Sequence, residues 1–261
     1  MIGFIGGGKM AEALIQGIIL HGARDILVSE PIDTRRNYLS QAYNITVMAS
    51  NIDVARLCNI IILAVKPQDM SLVLDEIAPE ITQDKTIVSI AAGITLDFFQ
   101  KKLATKKIIR VMPNTPVFVQ EGMSIISVDQ GLSEHDLAPV LDIFMSVGKV
   151  LVLPEEHMNA MATISGCGPA FFAMFIEALT GAGVSMGLAQ EQVADALVQT
   201  MVGTAKMLQS GMSPEKLREM VTSPGGMTFA GLTVFEEKKI NSIVTHALQA
   251  ARDRGIELGA K

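Results

Sequence analysis

Hydrophobic residues in the first half of the chain form short runs, and the longer stretches between these runs place apolar residues at helical spacing. The runs lack the alternating polar residues of a half-exposed sheet, which is typical of strands covered on both faces. Strand-like and helix-like segments in alternation predict a doubly wound α/β domain with a mostly parallel sheet. The predicted strands are residues 2–5, 26–28, 60–65, 86–90 and 108–112, and examples of the predicted helices are residues 9–21, 33–43, 69–77 and 96–103.

Beyond about Val152 the pattern changes. No further convincing strand-like run occurs, and apolar residues recur only at helical spacing, as in residues 193–208 and 240–251. We therefore predict two domains: an α/β domain over residues 1–154 and an all-helical domain over residues 155–261.

One helical segment in the second half, residues 169–187, is almost free of charge. It carries a single formal charge, Glu177, over about five turns, so it should be buried on nearly all sides. One core in a domain of about a hundred residues seldom covers such a helix completely. We expect this helix to pack against a second subunit, and burial against the first domain of the same chain is the alternative.

Composition limits the partners that the protein can bind. The 261 residues carry a net charge of −6 and no Lys/Arg-rich run, so a nucleic acid is a poor candidate partner and a small ligand is favoured. No apolar run approaches the roughly 20 residues of a membrane span, and the N-terminus resembles neither a signal peptide nor a transit peptide. Two cysteines, Cys58 and Cys167, provide neither a disulfide framework nor a zinc-binding spacing. We expect a soluble protein of the cytoplasm without a metal site.

A glycine-rich turn follows the first predicted strand and begins the first predicted helix. Its pattern is G-x-G-x-x-A from Gly6 to Ala11. In dinucleotide-binding domains the first glycine permits the tight turn, the second lets the backbone approach a pyrophosphate, and a small third residue lets the helix lie close to the strand. The helix N-terminus adds free N–H groups and positive potential. The turn therefore predicts a dinucleotide site.

The residues after the second predicted strand leave the choice between NAD and NADP open. Glu30 lies where an acidic residue would hydrogen-bond an adenosine ribose and repel a 2′-phosphate, which favours NAD. Arg35 and Arg36 follow within about one helical turn and would suit that phosphate as a charge pair. A solvated helix face is the alternative interpretation of both arginines.

Two further loops leave the predicted sheet at the edge where ligands bind in such domains. Residues 64–67 end one strand, and Pro67 restricts the backbone of Lys66 to an extended conformation. Small residues, including Ala91 and Ala92, end the next strand. These loops either line a nicotinamide pocket or are ordinary strand exits.

Several motifs taken together resemble one protein family. The motifs are GFIGGGKMAEAL at residues 3–14, AVKP at 64–67, SIAAG at 89–93, RVMPNTP at 110–116, SGCGPAFFAMFIEAL at 165–179 and SPGGMT at 223–228. In order and spacing they resemble the pyrroline-5-carboxylate reductases, and the likeness runs from residue 2 to about residue 258. The resemblance implies an N-terminal Rossmann-like domain and a C-terminal all-helical dimerisation domain, with a homodimer that can assemble further into a decamer. It also implies reduction of 1-pyrroline-5-carboxylate, a small cyclic imine, to L-proline with NADPH or NADH, the last step of proline biosynthesis.

Carried over position by position, the resemblance implies roles for individual residues. Two of them depart from the family pattern, because Glu30 replaces a small polar residue that is frequent in NADP-preferring members, and Met227 stands where threonine or alanine is common. The expected cofactor-binding residues are Ile5, Gly6, Gly7, Gly8, Lys9 and Met10 at the pyrophosphate, Glu30, Arg35 and Asn51 toward the adenosine, and Ala64, Val65, Lys66, Pro67, Ala91 and Ala92 at the nicotinamide. The expected substrate-binding residues are Glu155, Ser223, Gly225, Gly226, Met227 and Thr228, of which Thr228 is the expected catalytic residue.

The late glycine turn has a physical reason to bind a carboxylate. Glycine amides ahead of a helix that begins near Met227 would present unpaired N–H groups to an anion, and the helix end is worth roughly 0.3–2 kcal/mol. Ser223 and Thr228 can add hydroxyl donors, and Thr228 can also contact the ring nitrogen of the substrate. From these residues alone, a plain helix start with Ser223 as the N-cap and Pro224 after it is an equal alternative.

The chemistry that the resemblance implies makes modest demands on the protein. An imine that binds as an iminium already carries its proton, so no strong protein acid is required and positioning of the two reactants supplies much of the rate. The alternative function is a non-catalytic dinucleotide-binding paralogue with a regulatory role.

Overall fold

The computed structural model of the chain describes residues 1–22, 25–129 and 131–259. The strands are β1 Ile2–Ile5, β2 Ile26–Ser29, β3 Thr46–Met48, β4 Ile60–Leu63, β5 Thr86–Ser89, β6 Ile108–Met112, β7 Gly122–Val128 and β8 Gly148–Val152. The α-helices are α1 Lys9–Leu20, α2 Asp33–Tyr43, α3 Asn51–Leu57, α4 Met70–Ile77, α5 Leu96–Lys102, α6 Glu134–Met145, α7 Met158–Met161, α8 Gly168–Ser185, α9 Gln190–Gln209, α10 Pro214–Met220, α11 Met227–Glu237 and α12 Ile240–Gly259.

The eight strands form one sheet in the order β3-β2-β1-β4-β5-β6-β7-β8. Neighbouring strands are parallel, except that β6 and β7 are antiparallel. The strand order reverses at β1, which has β2 on one side and β4 on the other, and ligands bind at such switch points. The prediction of a Rossmann-like, mostly parallel sheet is confirmed.

The predicted strands all form within two residues of their expected bounds, but β3, β7 and β8 were not predicted. Strand β7 is not one continuous apolar run, and β8 contains such a run only over residues 150–152, after Lys149. Strand β7 carries Ser124 and Ser127 among its buried residues, and β8 lies at the edge of the sheet with Leu151 and Val152 exposed. Their sequences therefore differ from the pattern expected of central strands.

Successive side chains of each central strand pack on opposite faces of the sheet. Phe4 and Ile62 belong to a core cluster that includes residues of α1 and α6, whereas Ile5 and Ile61 belong to a cluster that includes residues of α3, α4 and α5. Helices thus cover both faces, which explains why these strands read as uninterrupted apolar runs.

The chain divides into two compact units. One contains Met1–Cys167 and the described residues from Arg252 onward, and the other is Gly168–Ala251. After β8 the described chain contains only helical segments and the turns between them, in agreement with the sequence pattern. The units part at Gly168, and the functional boundary predicted after residue 154 stays a prediction.

Helix α8 leaves large apolar side chains exposed in the single chain, among them Phe172 at 61% and Met174 at 70%. The helical run Glu155–Ser185, which ends with α8, is long and apolar enough to cross a membrane by length and composition. The expectation that no stretch reaches this length is therefore wrong. Glycine, serine and threonine interrupt the apolar runs of this segment, but they are small and uncharged, so the segment as a whole stays apolar.

Candidate active site

The first glycine turn joins β1 to α1 at the switch point of the sheet. Gly6 has φ +96°, and a Cβ atom there would lie 2.7 Å from the carbonyl oxygen of Ala64, so the position requires glycine. Gly8 is the N-cap of α1, and a Cβ atom on it would meet no described atom within 4 Å. The space beside Gly8 at the start of α1 is therefore open, and Gly8 has no side chain to cap the first amides of the helix, which suits a diphosphate.

Glu30 holds this turn to the end of β2. Its Oε2 accepts a hydrogen bond from the Gly7 amide at 3.0 Å, and its Oε1 accepts one from the Ile32 amide at 3.0 Å. The residue is only 7% exposed. The carboxylate predicted to bind the adenosine ribose is thus fixed by the backbone on both sides.

Arg35 and Arg36, on α2, are both held by hydrogen bonds within the chain. Arg35 Nε donates to the Gly7 carbonyl oxygen at 2.7 Å, and Arg35 Nη2 donates to Glu12 Oε2 at 2.7 Å. Arg36 Nη1 donates to the Glu30 carbonyl oxygen at 2.7 Å. The interpretation of these arginines as a solvated helix face is wrong, because backbone carbonyls of the glycine turn and of the end of β2 lie within their reach.

Glu12, in the first turn of α1, is the centre of this network. It accepts hydrogen bonds from Arg35, from Tyr38 Oη at 2.8 Å and from Tyr43 Oη at 3.0 Å. Burial acts to raise the pKa of Glu12, but the three hydrogen bonds outweigh it and hold the pKa below its ordinary value. Burial and the hydrogen bond to the Glu12 carboxylate raise the pKa of Tyr43 to about 12.

The other predicted cofactor residues lie at the same edge of the sheet. Asn51 begins α3, where its Oδ1 accepts from Ser29 Oγ at 2.7 Å. Lys66 is extended, and Pro67 begins a short 3-10 turn after β4. Ala91, after β5, is buried, and Ala92 is exposed. Because the strands are parallel, their carboxyl ends bring together Ile5, Gly6, Gly7, Gly8, Lys9, Met10, Glu30, Arg35, Asn51, Ala64, Val65, Lys66, Pro67, Ala91 and Ala92.

Glu155 lies at the start of the helical run that follows β8, and its carboxylate already has two partners. Its Oε1 accepts a hydrogen bond from the Leu96 amide at 2.8 Å and forms an ion pair with Arg110 Nη1 at 3.0 Å. The Arg110 side chain, on β6, is 7% exposed. Arg110 was not among the predicted site residues, although a single arginine inside an apolar strand is a signal, since a buried charge requires a partner.

Asn114 connects two of the family-like motifs. Its Nδ2 donates to the Ser165 carbonyl oxygen at 3.0 Å, and its Oδ1 accepts from the Met123 amide at 2.8 Å. Ser165 lies in a π-helical turn, Ala162–Gly166, just before α8. Such turns occur mostly as single-turn insertions within α-helices, and they are frequent at functional sites. Asn114 was also missed in the sequence, where nothing marks its amide as a bridge between distant segments.

The late glycine turn has the shape that its sequence predicts, with one difference. Gly225 has φ +71°, and α11 begins at Met227, which is 95% exposed. Gly226 is the N-cap, so the alternative with Ser223 in that position is wrong. The Gly226 amide donates to the Ser223 carbonyl oxygen at 3.0 Å and is therefore not an unpaired donor, contrary to expectation. Thr228 lies exposed in the first turn of α11. Among the described residues, no group of three His, Cys, Asp or Glu is placed to hold a metal ion.

Comparison with known proteins accounts for both halves of the chain. Residues 155–258 match the model described as pyrroline-5-carboxylate reductase dimerisation, and residues 1–93 match the model described as NADP oxidoreductase coenzyme F420-dependent. A pyrroline-5-carboxylate reductase from Synechocystis is 38% identical over 100% of this chain and 98% of its own length. This chain belongs to the pyrroline-5-carboxylate reductase family. The family resemblance inferred from the motifs is thus confirmed.

Solved structures of family members agree with this assignment. A pyrroline-5-carboxylate reductase from Coxiella burnetii superimposes with a TM-score of 0.93 at 31% identity, covering 98% of this chain and 97% of its own. The reductase from Plasmodium falciparum, solved with NADP bound, gives a TM-score of 0.86 at 33% identity over 99% and 97% of the two chains. The two-part architecture is therefore that of the family.

Proposed function

We propose that this protein transfers a hydride from NADH or NADPH to the imine carbon of 1-pyrroline-5-carboxylate and releases L-proline. The observation that carries the proposal is the full-length similarity to reductases of that substrate, 38% identical in the case of the Synechocystis protein. The two glycine turns of the chain add physical support, because each precedes a helix whose first amides suit an anion.

The N-terminal unit is proposed to bind the dinucleotide. Residues 5–10 would hold the pyrophosphate, since the space beside Gly8 is open and no side chain of the N-cap residue binds the first amides of α1. Residues 64–67, together with Ala91 and Ala92, leave the carboxyl ends of adjacent strands and are proposed to contact the nicotinamide. When bound, the reduced nicotinamide supplies the hydride.

The turn at residues 223–228 is proposed to bind the substrate. Because the Gly226 amide is paired with Ser223, we assign the carboxylate donors to the first turn of α11, where the amides of Met227 and Thr228 have no intrahelical partner. The helix end adds about 0.3–2 kcal/mol for an anion. Gly225 and Gly226 would keep the approach open, and the Thr228 hydroxyl is proposed to contact the ring nitrogen.

Proton supply places few demands on the chain in this scheme. A substrate that binds as an iminium brings its own proton, so the residues need only orient it and exclude competing water. Glu155 is proposed to act near the substrate as a positioning residue, because its Oε1 holds both Arg110 and the amide at the start of α5.

We further propose a homodimer formed through the C-terminal helices. The exposed apolar side chains of α8 require a cover in water, and the matching model for residues 155–258 is one of dimerisation. A helix at the centre of a dimer can be as apolar as a membrane span without entering a membrane, and the cytoplasm is the proposed location. Light scattering would distinguish a dimer from the predicted decamer.

The reaction can be tested directly. Purified protein is mixed with 1-pyrroline-5-carboxylate and either NADH or NADPH, and loss of reduced nicotinamide absorbance is compared with proline formed. We expect substrate-dependent oxidation with one proline for each cofactor oxidised. Binding of the cofactors without any turnover would contradict the proposal and favour the non-catalytic paralogue.

A further inference from the structure

Glu30, after β2, has a carboxylate whose hydrogen-bond donors, among the described residues, are two neutral backbone amides. Glu30 Oε2 and Oε1 accept from the amides of Gly7 and Ile32, each at 3.0 Å. Amide donors fix the orientation of a carboxylate without cancelling its charge. Glu30 therefore presents a negative charge at the edge where the adenosine ribose of a dinucleotide binds in such folds.

Arg35, one of the two arginines that the sequence offers to a 2′-phosphate, is committed to other partners. Its Nη2 pairs with Glu12 Oε2 at 2.7 Å, its Nε donates to the Gly7 carbonyl oxygen at 2.7 Å, and its guanidinium lies 5.1 Å from the ring centroid of Tyr38. The Glu12 side chain is 11% exposed. Movement of Arg35 toward a ligand would break these contacts and leave the mostly buried Glu12 carboxylate with only the more distant Lys9 as a cation among the described residues. The Lys9 Nζ lies 3.7 Å away on an exposed side chain, so the movement is unfavourable.

Arg36 is committed in the same way. Its Nη1 donates to the carbonyl oxygens of Glu30 and Pro31, each at 2.7 Å, and its Nη2 contacts the carboxylate of Asp33. Each arginine thus has a carboxylate partner within the chain, Glu12 for Arg35 and Asp33 for Arg36.

We propose that this protein selects NADH over NADPH, with Glu30 as the specificity-determining residue and Glu12 as the residue that withholds Arg35 from a 2′-phosphate. A carboxylate at this position accepts hydrogen bonds from a 2′-hydroxyl and repels a dianionic 2′-phosphate. The inference rests on the proposed function in one respect, that the glycine turn binds a nicotinamide dinucleotide. The Plasmodium falciparum reductase that was solved with NADP is a different protein, 33% identical to this chain, so its bound cofactor does not define the preference of this chain.

The test measures binding in the absence of substrate. Dissociation constants of the full-length protein for NADH and for NADPH are determined by isothermal titration calorimetry at one fixed ionic strength. Because like charges a few ångströms apart repel strongly, we expect the Kd for NADPH to be at least about tenfold higher. Equal affinities, or tighter binding of NADPH, would overturn the inference. A protein that prefers NADH but fails to oxidise it with 1-pyrroline-5-carboxylate would contradict the proposed reaction and support the selectivity.

Two variants locate the origin of the preference. Glu30→Gln removes the charge, and Glu12→Gln releases Arg35, so each should lower the ratio of the NADPH and NADH dissociation constants at least about fivefold. The control is Glu257→Gln, because Glu257 is an exposed carboxylate on α12 that pairs with Arg254. This substitution makes the same change in net charge and should leave the ratio of the two dissociation constants unchanged. Thermal unfolding shows which variants fold. If Glu30→Gln does not fold, the ratio of dissociation constants measured for Glu12→Gln tests the proposal. A wild-type ratio in every variant that folds would refute the roles assigned to Glu30 and Glu12.

Discussion

Alanine substitutions at Gly6 and Gly8 separate the structural role of the first glycine turn from its proposed role in binding. At Gly6, where φ is +96°, the added Cβ would lie 2.7 Å from the carbonyl oxygen of Ala64 and 2.9 Å from its carbonyl carbon. At Gly8, φ is −65° and the added Cβ would meet no described atom within 4 Å. The same methyl group should therefore strain the fold at one position and not at the other.

The expected magnitudes differ accordingly. For Gly6→Ala, the left-handed backbone costs about 1–2 kcal/mol, and overlap with a neighbouring strand adds about 1–3 kcal/mol, a large part of an ordinary free energy of unfolding. For Gly8→Ala, the poorer N-cap and the smaller entropy of the unfolded chain cancel to within about 1 kcal/mol. The Gly8 methyl would nevertheless occupy the space in front of α1. Loss of one hydrogen bond to a charged group there, about 1.5–3 kcal/mol, should weaken dinucleotide binding by about tenfold or more.

Thermal unfolding at a fixed protein concentration measures the first effect, and calorimetric titration with NADH and NADPH measures the second. Each kcal/mol lowers Tm by about 2–4 °C in domains of 150–250 residues. We expect Gly6→Ala to lower Tm markedly and Gly8→Ala to keep the wild-type Tm while losing affinity. Gly8→Ala with wild-type affinity for both dinucleotides would refute the proposal that the turn at residues 5–10 binds the pyrophosphate. An unchanged Tm for Gly6→Ala would refute the steric reasoning.

Three further substitutions probe other parts of the structure. Thr228→Ala should lower kcat/KM for 1-pyrroline-5-carboxylate about 2- to 13-fold, the value of one hydrogen bond, and equal loss of NADH affinity would count against its role at the substrate. Glu155→Ala should weaken NADH binding about tenfold, because Glu155 fixes the start of α5 beside the loop proposed at the nicotinamide. Binding of ADP-ribose, which lacks the nicotinamide, should stay unchanged, and equal weakening of both ligands would argue against this role. Between the ordinary tyrosine pKa of 10.0 and about 12, folded Tyr43 keeps a proton that the unfolded chain loses, so the free energy of unfolding should fall as pH rises through that window. Urea unfolding at several pH values in this window should show that the free energy of unfolding of Tyr43→Phe depends less steeply on pH than that of the wild type. An unchanged slope would contradict the raised pKa assigned to Tyr43.

Local sequence was sufficient for the features that depend on short segments. The five central strands were predicted because helices cover both faces of the sheet, so their apolar runs are uninterrupted. The first glycine turn was predicted because the positive φ at Gly6 requires a residue without a side chain, and the open space at Gly8 leaves room for the proposed pyrophosphate. The late turn was predicted for the same reason at Gly225.

Contacts between distant segments were decided only by the tertiary structure. The sequence placed Arg35 near a phosphate or in solvent, but the fold brings it to Glu12, and the hydrogen bond between them lies across 23 positions of chain. Arg110 and Glu155 meet across 45 positions, and the antiparallel pairing of β6 with β7 interrupts an otherwise parallel sheet. Sequence determines which side chains carry charge and which backbone positions need glycine, because these are properties of single residues. Which charges neutralise each other depends on loop closure over tens of residues, and only the packed sheet and its helices settle that.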